Sequence, residues 1–528
     1  MRKDRPFERV LVANRGEIAI RIFRACRELG VATVAVYSEA DSAAAHVRAA
    51  DEAVLLGPAA PAQSYLRVEA VVEAALRTGS DAVHPGYGFL SEQPALAEAC
   101  AAADIAFVGP SPLTLALLGN KLAARAAAAE AAVPVVPGLL EPVPIPGRND
   151  EASVRSLAAA ADSVGYPLLV KAAAGGGGRG MRRVDGEADL LDAVAAATKE
   201  AGAAFGDGTV YLERYVERAR HVEVQLLGDA SGRIVALGER DCSTQRRHQK
   251  LVEEAPAPGL TSDQRRQLHR LAVGVASTVG LVNAATAEFL LTPDGDFWFL
   301  EVNARLQVEH GVTELVSGLD LVHEQLWLAA GRPLSDRAGE AAARAAEPTS
   351  HAIEVRLSAE DPARDFIPTP GTITRWAEPS GPGVRMDSGY GAGDQVSTFY
   401  DPLLAKLMVH AGDRETCLAR LRRALDELSV TGVQTTLPFH RWLAALPGFA
   451  DTTELSTDLV ARLWQPGALV QSAGRRAAEL GAGAWRSFPS AGPSAGQSAA
   501  KGAATSSASW WREGLRELMD DRGKAGEA

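Results

Sequence analysis

Residues 287–303, AEFLLTPDGDFWFLEVN, place two acids where a metal-assisted reaction could use them. Asp294-Gly295 is a turn signal between two apolar, aromatic-rich runs. A hairpin centred there pairs residues whose numbers sum to 589, which sets Glu288 opposite Glu301 with Cβ atoms ~5 Å apart. Like charges facing each other destabilise a sheet unless something positive lies between them. A hard divalent cation prefers such oxygen ligands, and Asn303 lies two residues on, on the same face. A register one residue different would turn both acids to solvent instead. In EVNARLQVEH (301–310) the odd positions continue with Arg305, Gln307 and Glu309, so an extended chain would carry acid, amide, cation, amide and acid along one face.

Two further segments bear on anions. VKAAAGGGGRGM (170–181) reads as strand, loop, strand. Its glycines let backbone N–H groups wrap a phosphate, and Lys171 adds a compact positive charge. It lacks the GK[ST] ending of a Walker A loop. ERDCSTQRRHQKLVEEAPAP (239–258) concentrates Arg240, Arg246, Arg247, His248 and Lys250 in an acidic chain. That run is either a solvated charged surface or a set of cations for an anionic substrate. Metal carboxylates, a phosphate loop and an anion pocket with its own carboxylate base together suggest activation of an oxyanion by ATP.

These residues need elements to hold them. RVLVAN (9–14) reads as a buried strand, residues 15–30 as an amphipathic helix stopped by Gly30, and VATVAVYS (31–38) as a second strand. A strand–helix–strand start implies a parallel sheet covered by helices. DAVHPGYGFLSE (81–92) is a strand end running into a Gly/Pro loop, where such folds place ligand contacts. An Ala-rich helical stretch (112–132) leads to the Pro-rich LLEPVPIPGRND (139–150), a boundary. After Trp464 the composition turns to Ala, Gly and Ser, a linker signal, and SWWREGLRELMDD (509–521) gives one face of a short helix. The predicted segments are 1–110 (α/β), 111–135 (helical linker), 136–215 (glycine loop), 216–464 (alternating strands and helices) and 465–528 (tail).

The chain has 528 residues, a net charge of −12, and 47% hydrophobic and 23% charged residues, which allows several sizeable cores and argues against a broad nucleic-acid footprint. Four separated cysteines with no CxxC pair read as reduced thiols. No signal-peptide pattern or apolar run of ~20 residues stands out, so a cytoplasmic protein without a membrane partner is expected.

The chain closely resembles the biotin carboxylase component of biotin-dependent carboxylases, a branch of the ATP-grasp superfamily. The resemblance covers residues 7–464. It rests on VLVANRGEIAIRIFRA, VHPGYGFLSE, KAAAGGGGRGM, ERDCSTQRRHQKLVEEAPAP, FLEVNARLQVEHGVTE, HAIEVRLSAEDP and GVRMDSG. It implies an ATP-grasp α/β fold with an N-terminal Rossmann-like domain, a mobile lid and a larger C-terminal α+β domain. Lys121, Lys171 and the loop glycines Gly175, Gly176, Gly177, Gly178 and Gly180 would hold ATP phosphates. Glu213, Arg214 and Val216 would meet adenine, with His221, Gln245 and His248 around ribose and phosphates. Glu288, Glu301 and Asn303 would bind Mg²⁺ or Mn²⁺. Lys250, Arg305, Gln307 and the backbone of Val308 would hold bicarbonate. Glu309 would be its general base, and Arg385 would steady the biotin enolate.

The implied activity is MgATP- and bicarbonate-dependent carboxylation of biotin through carboxyphosphate, the first half-reaction of an acetyl-CoA or acyl-CoA carboxylase serving fatty acid biosynthesis. No AMKM-like biotin attachment sequence occurs, so a biotin carboxyl carrier protein and carboxyltransferase chains are expected to be separate from this one. A homodimer is also expected. Arg214 where Lys is usual, Ala174 shortening the glycine run and Gly311 in place of Pro depart from the family pattern. Two other readings are a carboxylate–amine ligase of the same superfamily, with no need of Arg385 or the Arg305-to-Glu309 run, and a catalytically silent scaffold.

Overall fold

The structure is a computed structural model that describes residues 5–143, 151–174 and 181–466. The glycines at 175–178 and 180, and the expected helix in 509–521, lie outside the described residues.

The first unit of the fold is a parallel sheet of β1 (Arg9–Val12), β2 (Ala32–Ser38), β3 (Glu52–Gly57), β4 (Ala82–His84) and β5 (Ala106–Phe107), in the order β3-β2-β1-β4-β5. Its strands are continuous apolar runs because both faces are covered. Val10 and Val12 pack on Ile18, Ile22 and Phe23 of helix Gly16–Glu28, while Leu11, Val34 and Val36 pack on Val71 and Ala75 from the other side. The expected strand–helix–strand start is borne out.

A small antiparallel sheet follows, with β6 (Leu168–Ala172) between β7 (Arg182–Val184) and β8 (Val210–Arg214). Helices Glu151–Val164 and Leu190–Phe205 cover it through Leu157, Ala161, Val194 and Ala197.

The large antiparallel sheet contains β9 (Arg220–Gly228), β10 (Ile234–Arg246), β11 (Gln249–Ala255), β12 (Asn283–Leu291), β13 (Phe297–Asn303), β14 (His351–Ser358), β15 (Val384–Ser388) and β16 (Leu403–Ala411). Their order is β13-β12-β9-β10-β11-β14-β16-β15. Helix Ser262–Thr278 packs Leu268, Ala272 and Val275 onto Val222, Val224 and Phe289 at one end. Helices Arg414–Glu427 and Leu437–Ala445 cover Ile353, Val355, Leu407 and Val409 at the other. Arg247 and His248 both have positive φ (50° and 66°) between β10 and β11, the two-residue turn whose twist suits a hairpin.

Three details refine the sequence reading. The stretch 112–132 splits into helices Pro112–Gly119 and Lys121–Glu130. Asn120 ends the first and caps the second, its Oδ1 accepting from the N–H groups of Leu122 and Ala123. The 288–301 hairpin has the expected register at its inner end, where Glu288 faces Glu301 and Thr286 faces Asn303. A bulge at Leu300 then slips the pairing, so that Phe289 faces Phe299 and the two buried rings meet edge to face at 5.8 Å. Finally, β13 stops at Asn303, and the chain reaches Glu309 through a turn. Among the described residues, no helix is long and apolar enough to cross a membrane.

Candidate functional site

One cavity of about 710 Å³ runs between the sheets. It gathers Lys121, Lys171, Glu213, Arg214, Val216, His221, Gln245, His248, Lys250, Glu288, Glu301, Asn303, Arg305, Gln307 and Val308 on its walls. Residues separated by nearly 190 positions thus meet at one place.

The cavity floor is a row of acids across the large sheet. Glu301 on β13 faces Glu288 on β12, which faces Glu223 on β9, which faces Arg240 on β10. Arg240, fully buried, donates from Nε to Glu223 Oε1 at 2.6 Å. Lys250, at the start of β11, reaches over the row: its Nζ lies 2.5 Å from Glu223 Oε2, 3.0 Å from Glu288 Oε1 and 2.7 Å from Glu309 Oε1. Burial opposes the charge on Lys250, but these three carboxylates outweigh it and raise its pKa well above the usual value. Glu288 also accepts from Asn303 Nδ2 at 2.8 Å and Gln307 Nε2 at 3.1 Å, with His221 Nε2 3.1 Å away. Burial likewise disfavours a charged His221, yet Glu288 draws its pKa up to about 9.

Lys121 enters at the first position of its helix, aimed by the Asn120 cap, and lies 3.1 Å from Glu301. Burial pushes the Glu301 carboxyl up, whereas Lys121 and Lys171 bring it down to about 2. It is therefore an anion at neutral pH. Lys171, at the end of β6, binds Glu213 on β8 at 2.6 Å, and buried Arg125 holds the other oxygen of Glu213. Glu213 is thus clamped on both oxygens. Arg214 donates its Nε and Nη2 to the carbonyl of Val164 at 3.1 and 2.9 Å, so its guanidinium caps the helix Glu151–Val164. Ala174 bridges to Asn120, fastening the start of the glycine segment beside Lys121.

Arg305 stands at the turn beyond β13. Its two terminal nitrogens donate to Gln307 Oε1 and Asn303 Oδ1, each at 3.0 Å, and its Nε lies 3.2 Å from Glu92 in the 81–92 loop. That loop is fixed by Asn14, whose Nδ2 donates to the carbonyls of Pro85 and Tyr87. Glu309 is fully buried behind Lys250, and its second oxygen accepts from Arg356 Nη2 at 2.9 Å. Burial raises the pKa of Glu309, but Lys250 and then Arg356 lower it overall. The group is a carboxylate positioned behind the site's cation.

Arg385 is not on the cavity wall. It sits on β15, donating to Glu314 Oε2 and Asp387 Oδ2, both at 2.7 Å. Lys406 donates to the carbonyl of Val308 at 2.7 Å, which orients that peptide. At the third family departure, a Cβ on Gly311 would lie 2.2 Å from Met408 Sδ. Met408 already fills the space a side chain at 311 would need.

The sequence reading missed Glu223 and Arg356 as members of this network. Both carried a signal: His221, Glu223 and Gln225 alternate with Val222 and Val224, and Glu354 and Arg356 alternate with Val355. Buried polar residues on one face of an apolar strand point to a polar site beneath it.

The donors suit the expected ion. Glu288, Glu301 and the amide oxygen of Asn303 are hard oxygen ligands at one point of the sheet, the set Mg²⁺ or Mn²⁺ takes together with phosphate oxygens. Lysines lie on either side for anionic substrates.

Three family models match the chain: the biotin carboxylase N-terminal domain over residues 6–115, the carbamoyl-phosphate synthase L chain ATP-binding domain over 120–337, and the biotin carboxylase C-terminal domain over 354–462. A pyruvate carboxylase subunit of Methanothermobacter thermautotrophicus is 48% identical over 82% of this chain and 86% of its own. Biotin carboxylase of Nostoc sp. is 47% identical over 84% and 96%. Among solved structures, the biotin carboxylase domain dimer of Hydrogenobacter thermophilus 2-oxoglutarate carboxylase, in complex with MgADP, ADP and bicarbonate, superposes with a TM-score of 0.81. It is 41% identical and covers 88% of this chain and 98% of that one. The chain belongs to the biotin carboxylase family, with the ATP-grasp fold and an ATP-dependent ligase activity.

Proposed function

We propose that the protein carboxylates biotin on a separate biotin carboxyl carrier protein, using bicarbonate and MgATP. The observation that carries this reading is Lys250. One buried ammonium touches both Glu288, of the expected ion site, and Glu309, the expected base, at 3.0 and 2.7 Å. An anion held by Lys250 and the Arg305 fork therefore lies between the nucleotide's terminal phosphate and a carboxylate able to take its proton.

Lys121 and Lys171 hold phosphate oxygens, and Glu213, Arg214 and Val216 border the base. Glu288, Glu301 and Asn303 hold the divalent cation, which when bound neutralises charge on the phosphates. Bicarbonate loses its proton to Glu309; the positive charges of Lys250 and Arg305 lower the cost of the second negative charge on carbonate. The carbonate oxygen attacks the γ-phosphoryl group, the bond to ADP breaks, and carboxyphosphate forms. Carboxyphosphate splits to CO₂ and phosphate. The phosphate takes the biotin N1 proton, and N1 of the resulting enolate attacks CO₂; Arg356 lies on the cavity wall to steady that enolate by charge, whereas Arg385, bonded to Glu314 and Asp387, stands off it. The segment 136–215, with its glycine loop, serves as the lid that keeps water from the labile intermediate.

The test is ATP cleavage by the purified full chain. It should require bicarbonate, rise with free biotin and fix labelled bicarbonate into carboxybiotin. Cleavage indifferent to bicarbonate but dependent on an amine would establish a carboxylate–amine ligase instead. The acceptor of the second half-reaction is chosen by carboxyltransferase chains, and we assign an acyl-CoA. Purification of the intact complex and assay against acyl-CoAs, pyruvate and 2-oxoglutarate decides among them. The same preparation reports whether two copies of this chain associate.

A further inference from the structure

Behind the wall of the cavity, the large sheet carries two glutamates that the reaction above does not use. Glu253 on β11 and Glu354 on β14 are directly opposite each other in the antiparallel register, and both are fully buried. One cation hydrogen-bonds to one member of this pair, Glu253. Arg356, next but one along β14, donates from Nε to Glu253 Oε1 at 2.6 Å and from Nη2 to Glu309 Oε2 at 2.9 Å. Glu253 Oε2 and both oxygens of Glu354 have no hydrogen-bond partner among the described residues.

The groups facing the pair come from every neighbouring strand. Lys250 lies on the side of β11, Cys242 on β10 and Lys406 on β16, opposite Arg356, while Glu309 stands just before the helix packed above. Lys250 is already committed to three carboxylates, and Lys406 lies 3.3 Å from Glu17 and bonds the Val308 carbonyl. Two buried, ionised carboxylates placed face to face, with the one guanidinium beside them bonded to Glu253 and Glu309 and no hydrogen bond to Glu354, are not sustainable.

We propose that Glu253 and Glu354 hold one proton between them at neutral pH, and that this half-neutral pair acts as a positioning element that leaves the charge of Arg356 to Glu309. This rests on the reading of Glu309 as the base for bicarbonate. The electrostatics agree: burial drives the Glu253 pKa up to about 7 against the pull of Arg356, and drives Glu354 well above the ordinary range. They titrate as a pair. Without the shared proton, a further negative charge beside Arg356 would compete with Glu309 for it. Without either carboxyl charge, Arg356 would bind Glu309 more strongly and make it a weaker base.

The test uses the full-length chain and two independent readouts. Infrared spectra at pH 7, without nucleotide, should show a protonated buried carboxyl band that is sensitive to deuterium and missing in Glu354→Gln. Glu253→Gln should move the acid limb of kcat/KM for bicarbonate down by roughly one pH unit, the effect of one charge acting through a shared arginine, with the KM for ATP within about twofold of wild type. A merely structural role would move kcat or stability without shifting that limb. If Glu253→Gln does not fold, the wild-type and Glu354→Gln spectra still decide. No lost carboxyl band, or a folded Glu253→Gln with an unmoved acid limb, would overturn the proposal. The infrared band is read without turnover, so a wild-type chain that shows it but cleaves no ATP with bicarbonate refutes the functional reading and not the shared proton.

Discussion

The Arg305 fork offers a sharp test of how the anion is held. In Arg305→Lys the charge stays, but the planar array that spans Gln307 Oε1 and Asn303 Oδ1 at 3.0 Å each is lost, as is the reach to Glu92. A lysine ammonium can hold one of these directions at a time. Two charge-assisted hydrogen bonds then go, each contributing about 1.5 kcal/mol. Their sum of about 3 kcal/mol corresponds to a loss on the order of a hundredfold. It should fall mainly on kcat/KM for bicarbonate, because Arg305 bonds neither Lys121, Lys171 nor Glu213, and its one contact with the expected ion site is the Asn303 amide oxygen. The assay is ATP cleavage with bicarbonate varied at saturating ATP, then ATP varied at saturating bicarbonate. The KM for ATP should stay within about threefold. An unchanged bicarbonate dependence, or equal losses in both substrates, would refute the assignment of Arg305 to the anion.

Other expectations follow from the same geometry. Chelation should stop ATP cleavage and added Mg²⁺ or Mn²⁺ restore it, and Glu288→Gln should raise the metal concentration for half-maximal rate at least tenfold. Lys121→Met should raise the KM for ATP by about tenfold or more, measured at saturating bicarbonate, since it removes one of two phosphate-directed cations. Away from the site, burial pushes buried Glu254 up, but His351 at 2.8 Å and Arg414 at 2.7 Å bring it down to about 2. A depressed folded pKa stabilises above the unfolded value of ~4.5 and is lost as pH falls toward 2. Glu254→Gln should therefore cost about 3 kcal/mol in urea unfolding at pH 7, and that difference should shrink between pH 4.5 and 2. Gly311→Ala should cost about 1–3 kcal/mol through its clash with Met408, and Met408→Val in the same chain should restore most of it by thermal melting.

The local patterns were legible because they depend on nearest neighbours. A turn at Asp294-Gly295 fixes which residues face each other, so the Glu288–Glu301 pair followed from counting. The slip at Leu300 did not, because it is driven by the fit of Phe289 against Phe299 inside a core assembled from distant segments. The start of the parallel sheet followed from apolar runs and helical spacing, and the strands on either side of 175–180 followed from the glycine run between them. The split at Asn120 was hidden in a uniformly Ala-rich stretch, although an Asn before a Lys is a cap signal in retrospect.

What the sequence determined by itself was the chemical inventory: opposed acids on one hairpin, a cation cluster in one strand pair, a glycine run behind a lysine, and motifs long enough to define the family. Tertiary structure alone decided how those charges pair. Lys250 on β11 bridges acids from β9, β12 and the turn before helix His310–Ser317, and Arg356 on β14 is divided between Glu253 and Glu309. It also set Arg385 among Glu314 and Asp387, off the cavity wall. The physical reason is that side-chain electrostatics act over a few ångströms in space, whatever the separation along the chain. Strand order, which is fixed by burying the most apolar surface, chooses which charges come within that reach.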